Sequence, residues 1–293
     1  MTQSGLFNKL LETADMTQCN PISTPTTCGA LGSDPDGQPM EDIWNNRSII
    51  RMLLYLTTNT RPDIAFAVSQ VARFSHDPKK SHATAAKMIL RYLAGSKDKG
   101  VIYKRPQKFG LHCLIKNHHA GLYDHESDEN PISTIKSSRP RYIISIAAYY
   151  LFCKSKLQST IAFSTSEAKY GALNLSLRVL QPIRNAICEL IKPVHMFDAQ
   201  GSSLLSLKSE LPAFETLVHE DNNTALSFAL SQKVMSTFKH WCVKFHFIWM
   251  HINDTKNNIN SVKVHAKKQR ADYLTKELTK DLFVHYRMLN QGW

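Results

Sequence analysis

Residues 216–230 read Thr-Leu-Val-His-Glu-Asp-Asn-Asn-Thr-Ala-Leu-Ser-Phe-Ala-Leu, and the structural period changes within this stretch. Residues Thr216 to Asp221 have the composition and alternation of a strand. From Asn223 to Leu230 the apolar residues recur at helical spacing, which predicts a short helix. The stretch is therefore a β-to-α unit with an acidic residue, Asp221, where the strand ends.

The sequence on both sides of this unit continues an α/β pattern. Leu111, Cys113 and Ile115 alternate with their neighbours, as in a half-exposed strand. A long helix is predicted from Ser166 to Ile191, with Pro182 as a point where it can kink or break. The remaining predictions are strands at 142–146, 149–153, 160–163 and 261–265, and helices at 238–251 and 271–289. This order predicts an α/β fold with a mixed sheet and flanking helices.

The amino-terminal third has a different character. After a short apolar start, residues 20–39 are rich in Pro, Gly, Ser, Thr and Asp, as loops are. Helical patterns follow at 47–56, after Pro62, and from a predicted N-cap at Ser81 to Gly95. We therefore predict a loop-rich segment at 1–45, a helical unit at 46–105 and an α/β domain at 106–293.

Composition narrows the class of partner. The 293 residues are 43% hydrophobic and 20% charged, which suits a folded protein. Lys plus Arg outnumber Asp plus Glu by 36 to 24, giving a formal net charge of +12. Such an excess favours a polyanion, most simply nucleic acid, and a solvated basic surface is the alternative.

Cysteine usage and hydropathy predict the compartment. The six cysteines are scattered without a Cys-x-x-Cys pair, which suits reduced thiols. No secretory signal pattern is apparent, and no uninterrupted apolar run is long enough for a membrane span. We expect an intracellular protein, cytoplasmic or nuclear, with no membrane partner. The sequence does not indicate an oligomeric state.

Several words of the sequence resemble the carboxyl-terminal part of copia-type retrotransposon Pol polyproteins. The run Arg47-Ser-Ile-Ile-Arg-Met-Leu-Leu-Tyr-Leu-Thr and the words Thr60-Arg-Pro-Asp-Ile-Ala and Leu90-Arg-Tyr-Leu-Ala-Gly resemble its reverse transcriptase connection segment. Four further words resemble its ribonuclease H domain: Leu111-His-Cys-Leu-Ile-Lys, Thr165-Ser-Glu-Ala-Lys-Tyr-Gly-Ala-Leu, Val218-His-Glu-Asp-Asn-Asn-Thr-Ala and Arg270-Ala-Asp-Tyr-Leu-Thr-Lys. The polymerase signature Tyr-x-Asp-Asp is missing from these 293 residues.

The resemblance implies a fold and an activity. It implies a ribonuclease H-like five-stranded mixed sheet with flanking helices, preceded by a small helical connection unit. It also implies Mg²⁺-dependent cutting of the RNA strand of an RNA–DNA hybrid. In the family, four carboxylates hold two metal ions roughly 4 Å apart. Two of those four positions keep carboxylates here, Asp221 and Asp272, and the other two fall at Lys116 and Lys169.

The two lysines argue against catalysis. Four carboxylates carry four negative charges that two divalent cations neutralise, whereas two Asp and two Lys already sum to zero. An ammonium about 4 Å from a dication is repelled by several kcal/mol even at an effective dielectric near 20. We therefore expect Lys116 and Lys169 to pair with Asp221 and Asp272, with no Mg²⁺ bound. Asp221 and Asp272 would be the metal ligands only if a metal did bind.

Three functional alternatives remain open from the sequence. They are a catalytically impaired Pol fragment, a basic scaffold that binds nucleic acid without cutting, and an active nuclease with a rearranged metal site. For the third, Glu167 is about 200° around the helix from Lys169, and the acidic loop at 122–131 would have to fold back. The residues predicted to contact nucleic acid are Lys154, Lys156, Lys239 and His240. Cys242 and His246 have a metal-compatible spacing, but a packed helix is the favoured interpretation.

Overall fold

The computed structural model describes residues 1–26, 31–40, 46–103, 111–118, 139–146, 149–155, 165–191, 215–231, 242–252, 259–265, 268–274 and 277–293. Contacts divide the chain into two compact units. The first contains residues 1–105, 148–154 and 270–293, and the second contains residues 106–147 and 155–269. The predicted three-part division at residues 45 and 105 stays a prediction.

Eight helices and five strands account for the regular structure of the described residues. The helices are α1 (Ser4–Thr13), α2 (Asn46–Asn59), α3 (Ala65–Ala72), α4 (Lys80–Ala94), α5 (Thr165–Ile191), α6 (Asn223–Leu230), α7 (Cys242–Ile252) and α8 (Lys280–Gln291). The strands are β1 (Leu111–His118), β2 (Arg139–Ile146), β3 (Tyr149–Ser155), β4 (Thr216–Glu220) and β5 (Ile259–Lys263). Short 3₁₀ turns span Pro62–Ile64 and Arg270–Leu274. None of these described helices combines the length and apolar character needed to cross a bilayer.

The strands form a mixed sheet with the order β3-β2-β1-β4-β5. β1 is antiparallel to β2 and parallel to β4, and β4 is parallel to β5. This is the five-stranded mixed α/β sheet expected from the order of elements, and β1, which carries Lys116, is its central strand. Parallel neighbours need a crossover, and α5 supplies it while packing on β1 and β2.

Most predicted elements are present, and two details were wrong. The closing helix predicted at 271–289 is a 3₁₀ turn at Arg270–Leu274 followed by a separate helix, α8. Ser81 is not the N-cap of α4, because the helix begins at Lys80 and the Ser81 hydroxyl donates to Asp34. Pro182 does not interrupt α5, which runs through it with Pro182 exposed. The strand predicted at 160–163 lies outside the described residues.

The first unit has a helical core that includes the amino-terminal segment. Although residues 1–45 were predicted to be loop-rich, α1 buries Phe7, Leu10 and Leu11 among the other helices. The shared core is built from fully buried aliphatic side chains at helical spacing, among them Ile49, Leu53, Leu56, Ile64, Val68, Leu90 and Leu93. Burial of this kind stabilises a unit by roughly 1.5–3 kcal/mol per large side chain.

A buried ion pair lies at the centre of this helical unit. The Arg61 guanidinium donates to both oxygens of Asp63, with Nη2 2.8 Å from Oδ2, and neither side chain is exposed. Arg61 also donates to the backbone carbonyl and the hydroxyl of Ser96. Asp63 accepts from the Tyr92 hydroxyl at 2.6 Å and from the Gln291 amide at 3.1 Å. The Thr-Arg-Pro-Asp word thus joins α4 and α8 to the start of α3.

Replacing Arg61 by Met should destabilise the first unit by about 3–5 kcal/mol, because the Asp63 carboxylate would remain buried without its cation. Equilibrium urea unfolding measures the loss. Arg51→Met is the matched control: Arg51 is exposed on α2, so that variant should stay within about 0.5 kcal/mol of the parent. Equal effects of the two substitutions would show that the buried pair contributes no special stability.

Candidate functional site

The candidate site begins where two parallel strands end side by side. Leu114 of β1 is the register partner of His219 of β4. The same register, continued by two residues, brings Lys116 level with Asp221, directly after β4. Lys116 is on β1 as predicted, but its side chain lies outside the described residues. The backbone therefore supports this part of the predicted constellation, and the predicted Lys116 ion pair stays a prediction.

Lys169 and Asp221 form an ion pair. Lys169 Nζ lies 2.8 Å from Asp221 Oδ1, a distance typical of a charge-assisted hydrogen bond. The Asp221 side chain is only 6% exposed, and that of Lys169 is 21% exposed. Lys169 is aimed here because its neighbours on α5, Ala168, Ala172 and Leu173, are buried on the helix's inner face.

Asp221 is held between a strand and a helix cap. The following residue, Asn222, is the N-cap of α6, and its side-chain oxygen accepts the Ala225 N–H at 2.8 Å. Because the cap fixes the chain directly after Asp221, the carboxylate is fixed by its own backbone as well as by Lys169. This geometry follows from the Asp-Asn-Asn word in the sequence.

Glu220 is a member of the site that the sequence reasoning missed. Its carboxyl is 1% exposed, and Oε1 accepts the backbone N–H groups of Asp221 at 3.0 Å and Asn222 at 3.1 Å. Burial, reinforced by the hydrogen bond and charge of Asp221, raises the pKa of Glu220 to about 8 against the opposing charge of Lys169. The carboxyl is therefore mainly protonated at neutral pH. The available signal was the alternation of β4, which turns residues 216, 218 and 220 inward.

The described side chains of the site form a cluster with no net charge. Lys169 contributes one positive charge, Asp221 one negative charge, and Glu220 a proton-bearing carboxyl. Beneath it lies Cys113, whose pKa burial raises to about 12, opposed by a hydrogen bond with Ser176. A thiol in that state is not a nucleophile at neutral pH. The cluster thus offers an ion pair and a buried acid.

The other predicted site residues lie either in the first unit or outside the described residues. Asp272 belongs to the first unit, where it is 3% exposed within the Arg270–Leu274 turn. It was expected to start the last helix, and it instead precedes α8 by eight residues. The side chains of Lys154, Lys156, Lys239 and His240 lie outside the described residues. Among the residues that are described, no three His, Cys, Asp or Glu side chains are grouped to hold a metal ion.

The chain is similar to retrotransposon proteins along almost its whole length. It is 27% identical over 286 residues to the retrovirus-related Pol polyprotein from transposon RE1 of Arabidopsis thaliana. That match covers 98% of this chain. Over almost its whole length the chain is thus homologous to copia-type retrotransposon Pol polyproteins. It spans 17% of the length of that Pol relative, so the activity of a whole Pol polyprotein does not transfer to it directly.

Two further comparisons add detail to the family assignment. The chain is 32% identical over 129 residues to the secreted RxLR effector protein 161 of Plasmopara viticola, covering 43% of this chain and 82% of that protein. The solved LC11 ribonuclease H1, isolated from compost, is 15% identical, with a TM-score of 0.31, covering 56% of this chain and 91% of that one. A likeness at that score carries no argument about the site. No protein-family model matches the chain.

Removing the Lys169 ammonium from this Pol-type site should cost about 1–3 kcal/mol of stability, because Asp221 is too buried to be solvated by water instead. Lys169→Met tests this by urea unfolding, and Lys268→Met, an exposed lysine of the same unit, is the control. In a double-mutant cycle with Asp221→Asn, the two changes together should cost less than their sum. Strict additivity would mean that the 2.8 Å contact contributes nothing.

Proposed function

We propose that this chain is a degenerate carboxyl-terminal piece of a copia-type Pol polyprotein whose ribonuclease H-like domain is catalytically impaired. One observation carries the proposal: the Lys169 ammonium lies 2.8 Å from Asp221, on the carboxylate that would be expected to bind metal. The family assignment and the order of the sheet support the domain. The impairment is argued from the charges at this position.

The Lys169 ammonium competes with a metal cation for the space beside Asp221. Mg²⁺ needs an oxygen-lined octahedron with ligands at about 2.0–2.1 Å, and two such ions must flank the scissile phosphate. An ammonium hydrogen-bonded to Asp221 takes the space beside that oxygen and repels a dication by several kcal/mol. The described donor set of one paired carboxylate and one buried carboxyl does not fit a Mg²⁺ pair.

Glu220 is the described carboxyl nearest to Asp221 in sequence, and it does not replace the missing ones. Its Oε1 already accepts two backbone N–H groups, and its side chain is almost wholly buried. Turning it toward a metal would break both hydrogen bonds and leave two part-buried backbone donors without this acceptor. An active nuclease with a rearranged metal site therefore receives no support from this residue.

Restoring the carboxylates should restore metal binding. The double change Lys116→Asp and Lys169→Glu replaces the two lysines at the family's metal positions with carboxylates, and so frees Asp221 of its ammonium partner. We expect the parent protein to bind no Mg²⁺ at millimolar concentration in calorimetry, and the double variant to bind it and nick an RNA–DNA hybrid. Each single change should do little, because one repelling ammonium remains. The matched control is Lys263→Asp with Lys268→Glu, which adds the same charge at exposed positions.

A cleavage assay on the parent protein can contradict the proposed impairment. Metal-dependent cleavage of the hybrid by the unmodified chain, abolished by Asp221→Asn, would show that the domain is not catalytically impaired and would establish the rearranged active site. Failure of the double variant to bind Mg²⁺ would show that loss of the two carboxylates is not the main lesion. Cleavage by the exposed-charge control would show that general acidity, and not the site, is responsible.

A second candidate function is a basic scaffold that binds nucleic acid without cutting it. The observation that favours it is the exposed face of α4, where Lys80 and Lys87 lie two helical turns apart in a protein of net charge +12. Thr84, on the same face between them, is also exposed. Ammonium groups of this kind contact phosphates without reading bases.

Binding through these lysines should be strongly salt-dependent. In gel shifts with an RNA–DNA hybrid, affinity should fall as salt rises from 50 to 200 mM. The double change Lys80→Gln and Lys87→Gln should lower the slope of log K against log salt by about 2. The control is Lys9→Gln, an exposed lysine on α1. No shift at low salt, or equal slopes for all three proteins, would exclude this surface.

A further inference from the structure

Two histidines from adjacent parallel strands face each other on the second unit. His112 on β1 and His219 on β4 approach with Nδ1 of the first 3.3 Å from Nε2 of the second. Their rings are nearly parallel, 23° apart, with centroids 5.5 Å apart. The parallel register sets this meeting, because it pairs His112 with Leu217 and so places His219 two residues further along β4, on the same face of the sheet. Neither histidine is part of the Lys169–Asp221 cluster.

The distance between the two nitrogens suits a shared transition metal. The two ring nitrogens are hydrogen-bonded to each other, with one imidazole donating and the other accepting according to the tautomer. Two imidazole nitrogens that each bind one tetrahedral zinc ion at about 2.0–2.1 Å are roughly 3.3 Å apart. A metal ion can therefore replace the hydrogen-bonded proton once the two rings turn so that both nitrogen lone pairs point at it.

The surroundings leave the pair accessible. Both imidazoles are partly exposed. On the opposite face of the same strands, Cys113 and Val218 are fully buried. On one side His112 is the register partner of Ser145 of β2. On the other side His219 is the partner of Val262 of β5, which is 38% exposed. Solvent can reach the pair, so water can complete a coordination sphere.

We propose that His112 and His219 form a two-histidine site for a divalent transition metal of the zinc, nickel or copper class. Neutral imidazole nitrogen prefers these ions, and their affinity order runs Ni²⁺ below Cu²⁺ and Cu²⁺ above Zn²⁺. Mg²⁺, which prefers oxygen ligands, is excluded by the same chemistry. The protein supplies two ligands and water the rest, so the site exchanges its metal readily. It stands apart from the proposed function and does not depend on it.

The test is a Zn²⁺ titration of the full chain at pH 7.5, read from the imidazole ring signals in NMR spectra. The chain has 13 histidines, so a ring-resolved signal is needed to locate the ion. Zn²⁺ should shift both the His112 and His219 rings together, and Mg²⁺ at the same concentration should shift neither. His112→Gln and His219→Gln should each weaken the Zn²⁺ affinity by at least about 10–100-fold. His76→Gln, an exposed histidine, should leave it unchanged.

Each outcome decides the question. Loss of binding in both glutamine variants, with both rings shifted in the parent, supports the site. Zn²⁺ that shifts only one of the two rings, or neither, overturns it, because the geometry requires both. Unchanged affinity in either variant overturns it as well. If a glutamine variant fails to fold by circular dichroism, the paired ring shifts in the parent protein decide alone.

Discussion

The parallel pairing of β1 with β4 is the constraint on which the described chemistry depends. This register places the end of β1 beside the Glu220-Asp221 junction and, four residues earlier, sets His112 against His219. A one-residue slip would turn each side chain of β4 to the opposite face of the sheet. Glu220 would then face solvent and His219 the core. Burial of Cys113, Ile115 and Val218 opposes a one-residue slip, because such a slip would turn Val218 away from the core.

Under the proposed function, the Lys169–Asp221 pair would explain how a catalytic position is lost without loss of the fold. A cluster of unpaired carboxylates repels itself, and metal ions offset that repulsion only when they are bound. An ammonium built into α5 offsets it permanently and needs no ligand. The ion pair therefore favours the folded state of this unit and neutralises the charge of Asp221.

The Thr-Arg-Pro-Asp word has a structural explanation in the first unit. Arg61 is surrounded by the rings of Phe7, Tyr92 and Trp293, with its guanidinium carbon 5.2–5.4 Å from each ring centre. Burial opposes its charge, and Asp63 more than compensates, so the pKa of Arg61 is raised. The Thr-Arg-Pro-Asp motif, which looks like a helix start in the sequence, thus supplies a buried charged centre that residues from four separate chain segments surround.

The sequence by itself determined the elements and the family. Helical spacing predicted α2, α5 and α6, and strand alternation predicted β1 and β4, because these periods are local properties of the chain. It missed the break before α8, where no Pro or Gly marks the interruption, and it treated the start of α1 as part of a loop-rich segment. The Lys169–Asp221 contact was expected from resemblance, since spacing alone cannot join residues 52 positions apart.

Only the tertiary structure decided the state of each site. The protonated Glu220 follows from its burial on the inner face of β4, and burial is a property of the packed unit. The His112–His219 pair follows from a strand register over 107 residues of separation, which no local pattern encodes. Arg61 and Asp63 are two residues apart, yet their importance comes from Ser96, Tyr92 and Gln291, which only folding brings to them. The periodicity of the sequence indicates which face of a helix or strand is apolar. The strength of an interaction between charges depends instead on which neighbours exclude water from the charged groups.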